Sequence, residues 1–240
     1  MMKKIDYGID APKIIRNLFL FTIILFGIAI FFPVLIINSI KINLFPFEII
    51  VSIFCFLNGL LMLLYTGIGK FRQRDRMLRL INWTGNEMVL DIGTGLGLLM
   101  NGAAKRLTSG KAIGIDIWNK EDLSKNSPDK TMLNAELEGV AGKIEIKNEN
   151  ILHTNFQDNY FDVVISNLCL HNISDNEGRK TACTEIHRIL KQNGTALISD
   201  FKHIKEYKSE FQKLGMTTEK IGTYYFDTYP PLTIIRAVKK

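Results

Sequence analysis

Cysteine is the first scarcity. The chain has three, Cys55, Cys169 and Cys183, scattered along 240 residues, which suggests neither a disulfide framework nor a metal site. No internal repeat and no low-complexity tract is present. Charge is absent from two long stretches. Residues 18–37, LFLFTIILFGIAIFFPVLII, and residues 49–68, IIVSIFCFLNGLLMLLYTGI, each run twenty positions without a charged side chain. Neither carries the polar stripe that a helix buried in a soluble bundle would show. At about 1.5 Å per residue, each is long enough to cross a hydrocarbon core of about 30 Å. The first run is too long for a cleaved signal, and no small-x-small site follows it. The expectation is two transmembrane helices.

A third absence concerns net charge. Residues 81–240 carry twenty basic and twenty acidic side chains and so have none, whereas residues 1–80 carry ten basic against four acidic, a net of +6. A nucleic-acid binder would carry its excess on the folded domain. Here the excess flanks the apolar runs: Lys3, Lys4, Lys13 and Arg16 before the first, and Lys70, Arg72, Arg74, Arg76 and Arg79 after the second. The eleven-residue link NSIKINLFPFE holds only Lys41. The positive-inside rule then places both ends in the cytoplasm, and the excess meets anionic headgroups. The expected organisation is a cytoplasmic arm over 1–17, a two-helix hairpin over 18–69, an amphipathic connecting helix over 70–84 and a globular domain over 85–240. The arm IDYGIDAPKIIRN contains Tyr7, suited to an interface, and Pro12, suited to a first helical turn. Its two acids exceed what an anchor needs, so the arm is expected to touch the domain and help form a substrate entrance. The connecting helix reads equally as a membrane-surface element or as the first helix of the domain.

From Met88 the pattern alternates between strands and helices. Met88–Ile92 is a short apolar strand and Leu96–Leu107 a helix; KAIGIDI follows as a strand. Ser127 and Pro128 form an N-cap and first-turn pair opening a helix that ends near Gly139. KIEIK is a strand, and FDVVISN a strand buried on both faces. Residues 176–190 form a helix closed by a KQNG turn before the strand TALISD. A helix over KHIKEYKSEFQKLG stops at Gly215, and the end, GTYYFDTYPPLTIIRAVKK, gives two strands around a Pro-Pro turn. Such alternation implies a parallel sheet with helices on both faces.

The stretch EMVLDIGTGLGLLM sets Gly93, Gly95 and Gly97 at alternate positions, the first of them two residues beyond Asp91, at the carboxyl edge of the first strand of the sheet. Such edges bind ligands in folds of this kind. A dinucleotide fingerprint would need its third glycine at position 98, which is Leu98. The arrangement instead resembles motif I of the class I S-adenosylmethionine-dependent methyltransferases. Asp116, ending the second strand in GIDIW, stands where a carboxylate can accept from both hydroxyls of a ribose. NENILHTNFQDNYFDVVISN resembles the family stretch GDA-x-x-LPF-x-D-x-SFDVV-x-S, with Asn150 where an Asp usually accepts from the adenine amino group. RILKQNGTALISD resembles R-x-LKPGG-x-L-x-x-x-D, with Gln192 and Asn193 replacing Pro and the first Gly.

The resemblance covers about residues 85–240, is nearest to quinone-type and other small-molecule methyltransferases, and leaves out the hairpin. It implies a Rossmann-like, doubly wound, mostly parallel seven-stranded α/β sheet behind the transmembrane hairpin, with S-adenosylmethionine as cofactor and no metal. The cofactor set it implies is Asp91, Gly93, Thr94, Gly95, Gly97, Asp116, Ile117, Asn150, Ile151 and Asn167. Methyl transfer asks the protein mainly to align and dehydrate the reactants, with a base where a proton must leave. The candidates are His171 and Asp200, with His203 on the same rim; alternation along LCLH sets Cys169 on the face opposite His171. The loop DIWNKEDLSKNSPDK is expected to cover the cofactor, residues 120–126 included, with Trp118 near the adenine. An anchor is of little use for a freely soluble acceptor, so the expected substrate is a hydrophobic small molecule: a quinone, a lipid headgroup or a thiol. The rivals are a membrane-tethered protein methyltransferase and a non-catalytic scaffold. Intact Asp91, Asp116 and three glycines argue against the second.

Overall fold

The computed structural model describes residues 4–37, 40–119 and 123–240. Helix α1 (Pro12–Phe31) opens with proline at its first turn, as the arm's sequence predicts, and so begins before the uncharged run. The first apolar run is not helical to its end. Phe32 leaves the helical region at φ −133°, ψ 48° because the following Pro33 disfavours it. Residues 34–37, expected as helix, instead form β1 (Val34–Ile37), paired antiparallel with β2 (Ile40–Asn43). The Pro33 carbonyl accepts from Leu44 N at 2.8 Å, which turns the chain into α2 (Phe45–Leu64).

The two helices pack antiparallel. Gly59 admits the Phe19 ring, Phe19 meets Phe56 edge-on at 5.9 Å, and Ser52 Oγ donates to the Thr22 carbonyl at 3.0 Å. Their outer faces are bare apolar surface, with Phe21 and Phe31 59% and 76% exposed. By length and composition both are apolar enough to cross a membrane. A single π-helical turn, Tyr65–Gly69, carries α2 without interruption into α3 (Lys70–Leu78). Of the two readings of residues 70–84, packing favours the globular one: Met77 and Leu78 are fully buried, and Gly102 gives α3 close access to α4 (Leu98–Ala104).

The remaining elements are β3 (Met88–Ile92), β4 (Lys111–Asp116), α5 (Pro128–Leu137), β5 (Ile144–Asn148), β6 (Phe161–Asn167), α6 (Asn176–Ile189), β7 (Leu190–Asp200), α7 (Ile204–Lys213), β8 (Thr217–Tyr224) and β9 (Leu232–Val238). Seven strands form one sheet in the order β5-β4-β3-β6-β7-β9-β8. The first five are parallel, and β9 runs antiparallel to both β7 and β8. The expected KQNG turn is part of β7: Leu190 pairs with Phe161, the register shifts, and Thr195 pairs with Val163. Asn193 absorbs the shift at φ 63°.

Both sheet faces are covered. One core joins Leu90, Ile92 and Val164 to Cys183 and Ile186 of α6 and to Tyr207 and Phe211 of α7; the other joins Val89 and Ile165 to α3, α4 and α5. Burial pushes the Cys183 thiol up to about 12, so it is a packing group and not a nucleophile. Phe211→Ala is expected to cost ~3–5 kcal/mol and to lower the denaturation midpoint of the full chain. Leu137→Ala, at a position 38% exposed, should stay within ~0.5 kcal/mol.

Candidate functional site

Between β3 and α4 the chain crosses the sheet edge through Gly93, Gly95 and Gly97, at φ 71°, 53° and 85°. These left-handed values at alternate positions are the reason glycine recurs there. The loop's amides are used inside the protein. Gly93 N and Thr94 N donate to the Ile115 carbonyl at 2.9 and 3.0 Å, Gly95 N to Asp116 Oδ2 at 2.8 Å, and Gly97 N to the Thr94 carbonyl at 2.8 Å. A phosphate cradle needs such amides free, and these four are already taken. Asp91, fully enclosed, accepts from Thr94 Oγ1 at 2.9 Å and from Met100 N in the first turn of α4 at 3.0 Å. Its carboxylate thereby ties strand, loop and helix start together.

Beside this loop lies a cavity of about 380 Å³, a size suited to a small ligand. Its carboxylates are Asp10, Asp91, Asp116, Glu149 and Asp175, against one cation, Lys70, among the described residues. Asn126 Oδ1 and Asn167 Oδ1, on the β4 and β6 sides, are buried acceptors without a partner among the described residues. An acidic hollow with waiting acceptors fits a cationic ligand rich in amino and hydroxyl donors, as a sulfonium nucleoside is. Of the ten residues expected to hold it, Asp91, Gly93, Thr94, Gly95, Asp116, Ile117, Asn150, Ile151 and Asn167 line the cavity. Gly97 stands apart as the N-cap of α4. Both Asp116 oxygens already accept from backbone, Gly95 N and Trp118 N, and Oδ1 also from Asn126 Nδ2 at 3.4 Å, which leaves about one of four lone-pair sites for a ribose. Asn150 is exposed, and its Oδ1 accepts from Leu152 N at 3.0 Å.

Several lining residues were not legible in the sequence. The arm folds back over the glycine loop: Asp10 bridges to Leu123, Ile9 and Ser124 exchange hydrogen bonds, and Asn134 holds both the amide and the carbonyl of Asp6. Lys70, 4% exposed, donates to the Tyr7 and Gly8 carbonyls at 2.8 and 2.7 Å and pairs with Asp10 at 3.3 Å. The arm therefore touches the domain and lines the cavity through Tyr7 and Asp10. Tyr65, in the π turn, reaches the end of β6, where Asn167 Nδ2 donates to its hydroxyl at 3.4 Å. Position alone marked Tyr65 and Lys70 as the end of an apolar run; nothing local signalled the contacts. The expected cover over 120–126 falls partly on 120–122, outside the described residues, while Leu123 and Asn126 do line the cavity.

The candidate base sits next to the cavity. His171 Nδ1 lies 2.8 Å from Asp200 Oδ1, at ion-pair distance, and the ring packs edge-on against Phe201. Asp200, 1% exposed, also accepts from His171 N and Phe201 N. Neither is a lining residue of the cavity, which is reached through the following Asn172 and Ile173. His203 caps α7 at φ 57° and pairs with Glu206. Cys169 packs on Gly93.

Burial raises the Asp91 carboxyl to about 7, against the opposing pull of its Thr94 and Met100 hydrogen bonds. The folded protein thus binds this proton more tightly than the unfolded chain, where the carboxyl titrates near 3.8. The associated stability is present below about pH 4 and lost as pH rises through about 7. Asp91→Asn should abolish that loss, so wild-type and variant denaturation midpoints, measured across this range, should diverge with rising pH.

Residues 90–198 match a family model described as a methyltransferase domain. A demethylmenaquinone methyltransferase from Lactiplantibacillus plantarum is 31% identical over 126 residues, covering 52% of this chain and 49% of the relative. A 2-phytyl-1,4-naphtoquinone methyltransferase from Nostoc is 30% identical over 141 residues, 57% of each chain. The chain spans about half the length of the curated relatives it matches. A crystal structure of a SAM-dependent methyltransferase from Aquifex aeolicus shares the fold at a TM-score of 0.55 and 16% identity, over 70% of this chain and 89% of that one. With the sheet order, the glycine loop and the acidic cavity in place, the region around the methyltransferase-domain match has the fold of S-adenosylmethionine-dependent methyltransferases.

Proposed function

We propose that the chain is a membrane-anchored methyltransferase that acts on a hydrophobic small molecule, with a quinone ring as the leading class over a lipid headgroup or thiol. One observation carries the reading. Tyr65, at the end of an apolar helix long enough to span a bilayer, shares a hydrogen bond with Asn167 on the rim of the cavity. A molecule moving along the hairpin would arrive at the site without crossing water. The quinone methyltransferases among the relatives support the same class of acceptor.

In this reading α1 and α2 lie in the bilayer, and both termini and the domain face the cytoplasm, as the flanking charges favour. Bound in the cavity, S-adenosylmethionine supplies a methyl group activated by a positively charged sulfur. Asp116, Asn126 and Asn150 would hold the nucleoside side, and Asp91 would keep the glycine loop in shape. Asn167 would face the amino-acid side, and the arm would keep water out. Where the acceptor must lose a proton, His171 would take it, steadied by the buried Asp200 carboxylate.

Native membranes incubated with labelled cofactor should transfer label to the organic extract. Label confined to the protein pellet would overturn the small-molecule acceptor. Failure of S-adenosylmethionine to raise the melting temperature of the purified chain would overturn the enzyme. Tyr65→Phe removes one hydroxyl. It should lower kcat/KM for the acceptor about fivefold, the equivalent of ~1 kcal/mol for a lost hydrogen bond, with cofactor affinity unchanged by calorimetry.

A further inference from the structure

We propose that the loop between β8 and β9, residues 225–231, is a third membrane contact, its Tyr225–Phe226 tip entering the headgroup–acyl boundary beside α2. The proposal rests on the membrane reading above and deepens it.

The loop is seated on the helix at several points. Gly69 leaves room for the Asp227 carbonyl, which would lie 2.3 Å from any Cβ there. Arg76 pairs with the Asp227 carboxylate, and its guanidinium covers the Tyr224 ring at 3.8 Å. Thr228 braces the loop from within, donating to the Tyr224 carbonyl and accepting from Leu232 N. Tyr229 reaches farther along α2 and donates to Asn58 Oδ1.

Eleven residues separate Asn58 from Gly69, about 16 Å along a helix. The loop therefore climbs α2 to a level where the neighbouring side chains are Phe54, Leu57 and Leu61, exposed by 63%, 48% and 43%. Asn58 Nδ2 donates to the Phe54 carbonyl at 2.7 Å, so both ends of its amide are satisfied within the protein. An amide in an apolar helix needs that where water is absent.

Among the described residues, the tip has no such partners. Phe226 is fully exposed and Tyr225 is 65% exposed, yet the loop that carries them is pinned on both sides. Aromatic side chains held bare beside an apolar helix match the composition of a membrane interface. Arg72, exposed on α3, adds a cationic group near the same end of α2, which suits anionic headgroups. Such a contact would fix the tilt of the domain and hold the Tyr65 rim at the bilayer surface.

The test is lipid quenching of tryptophan fluorescence in the full chain, reconstituted in phosphatidylcholine–phosphatidylglycerol vesicles. Part of the phosphatidylcholine is brominated near the headgroup end of its acyl chains. The Phe226→Trp variant should lose emission to the brominated lipid beyond the parent chain, whose own tryptophans are Trp83 and Trp118. A Phe54→Trp variant reports on the hairpin. Quenching at position 54 without added quenching at 226 overturns the loop contact and leaves the anchor standing. Quenching at neither position overturns both. Because Phe226 touches nothing it could unfold, the variant tests contact rather than stability.

Discussion

The Asp91 carboxylate holds the site together from beneath. It is enclosed at the end of β3 and accepts from Thr94 and from the Met100 amide, so the chain can leave the strand, cross the sheet edge and enter α4 along one path. With the loop amides turned inward onto Ile115 and Asp116, the rim presents carboxylates and carbonyl oxygens to the cavity. That polarity separates it from a phosphate-binding edge of the same fold class. The chemistry suited to this edge follows from hydrogen-bond allocation more than from the presence of glycine.

The second organising contact is Lys70. A buried cation is costly unless it is fully partnered, and this one is satisfied by two arm carbonyls and Asp10. The same ammonium therefore joins the start of α3 to the arm that lies over the glycine loop. Through it the hairpin, the arm and the cavity wall become one body. The hairpin is thus joined to the cavity wall through Lys70, in addition to its proposed place in the bilayer.

Much of this was legible in the chain because it is local. Uncharged runs, βα alternation, the Ser127–Pro128 helix start and the glycine spacing are patterns within a few residues of each other. Seven strands were expected, although β8 begins at Thr217, ahead of the stretch expected to form it, and nine of the ten expected cofactor residues line one cavity. The errors were local competitions as well: Pro33 ended a helix that hydropathy alone would have continued, and Asn193 carried β7 through a stretch that composition marks as a turn.

By itself, then, the sequence determined the class of fold, the sheet edge that borders the cavity, and the presence of two apolar helices. Tertiary structure decided which groups meet there. The Tyr7–Lys70, Tyr65–Asn167 and Asn58–Tyr229 contacts join residues 63, 102 and 171 positions apart. No periodicity links such pairs, because each is set by how a whole helix packs against a whole sheet. A side chain's neighbours depend on that packing, whereas its tendency to form a strand or helix depends on the few residues beside it.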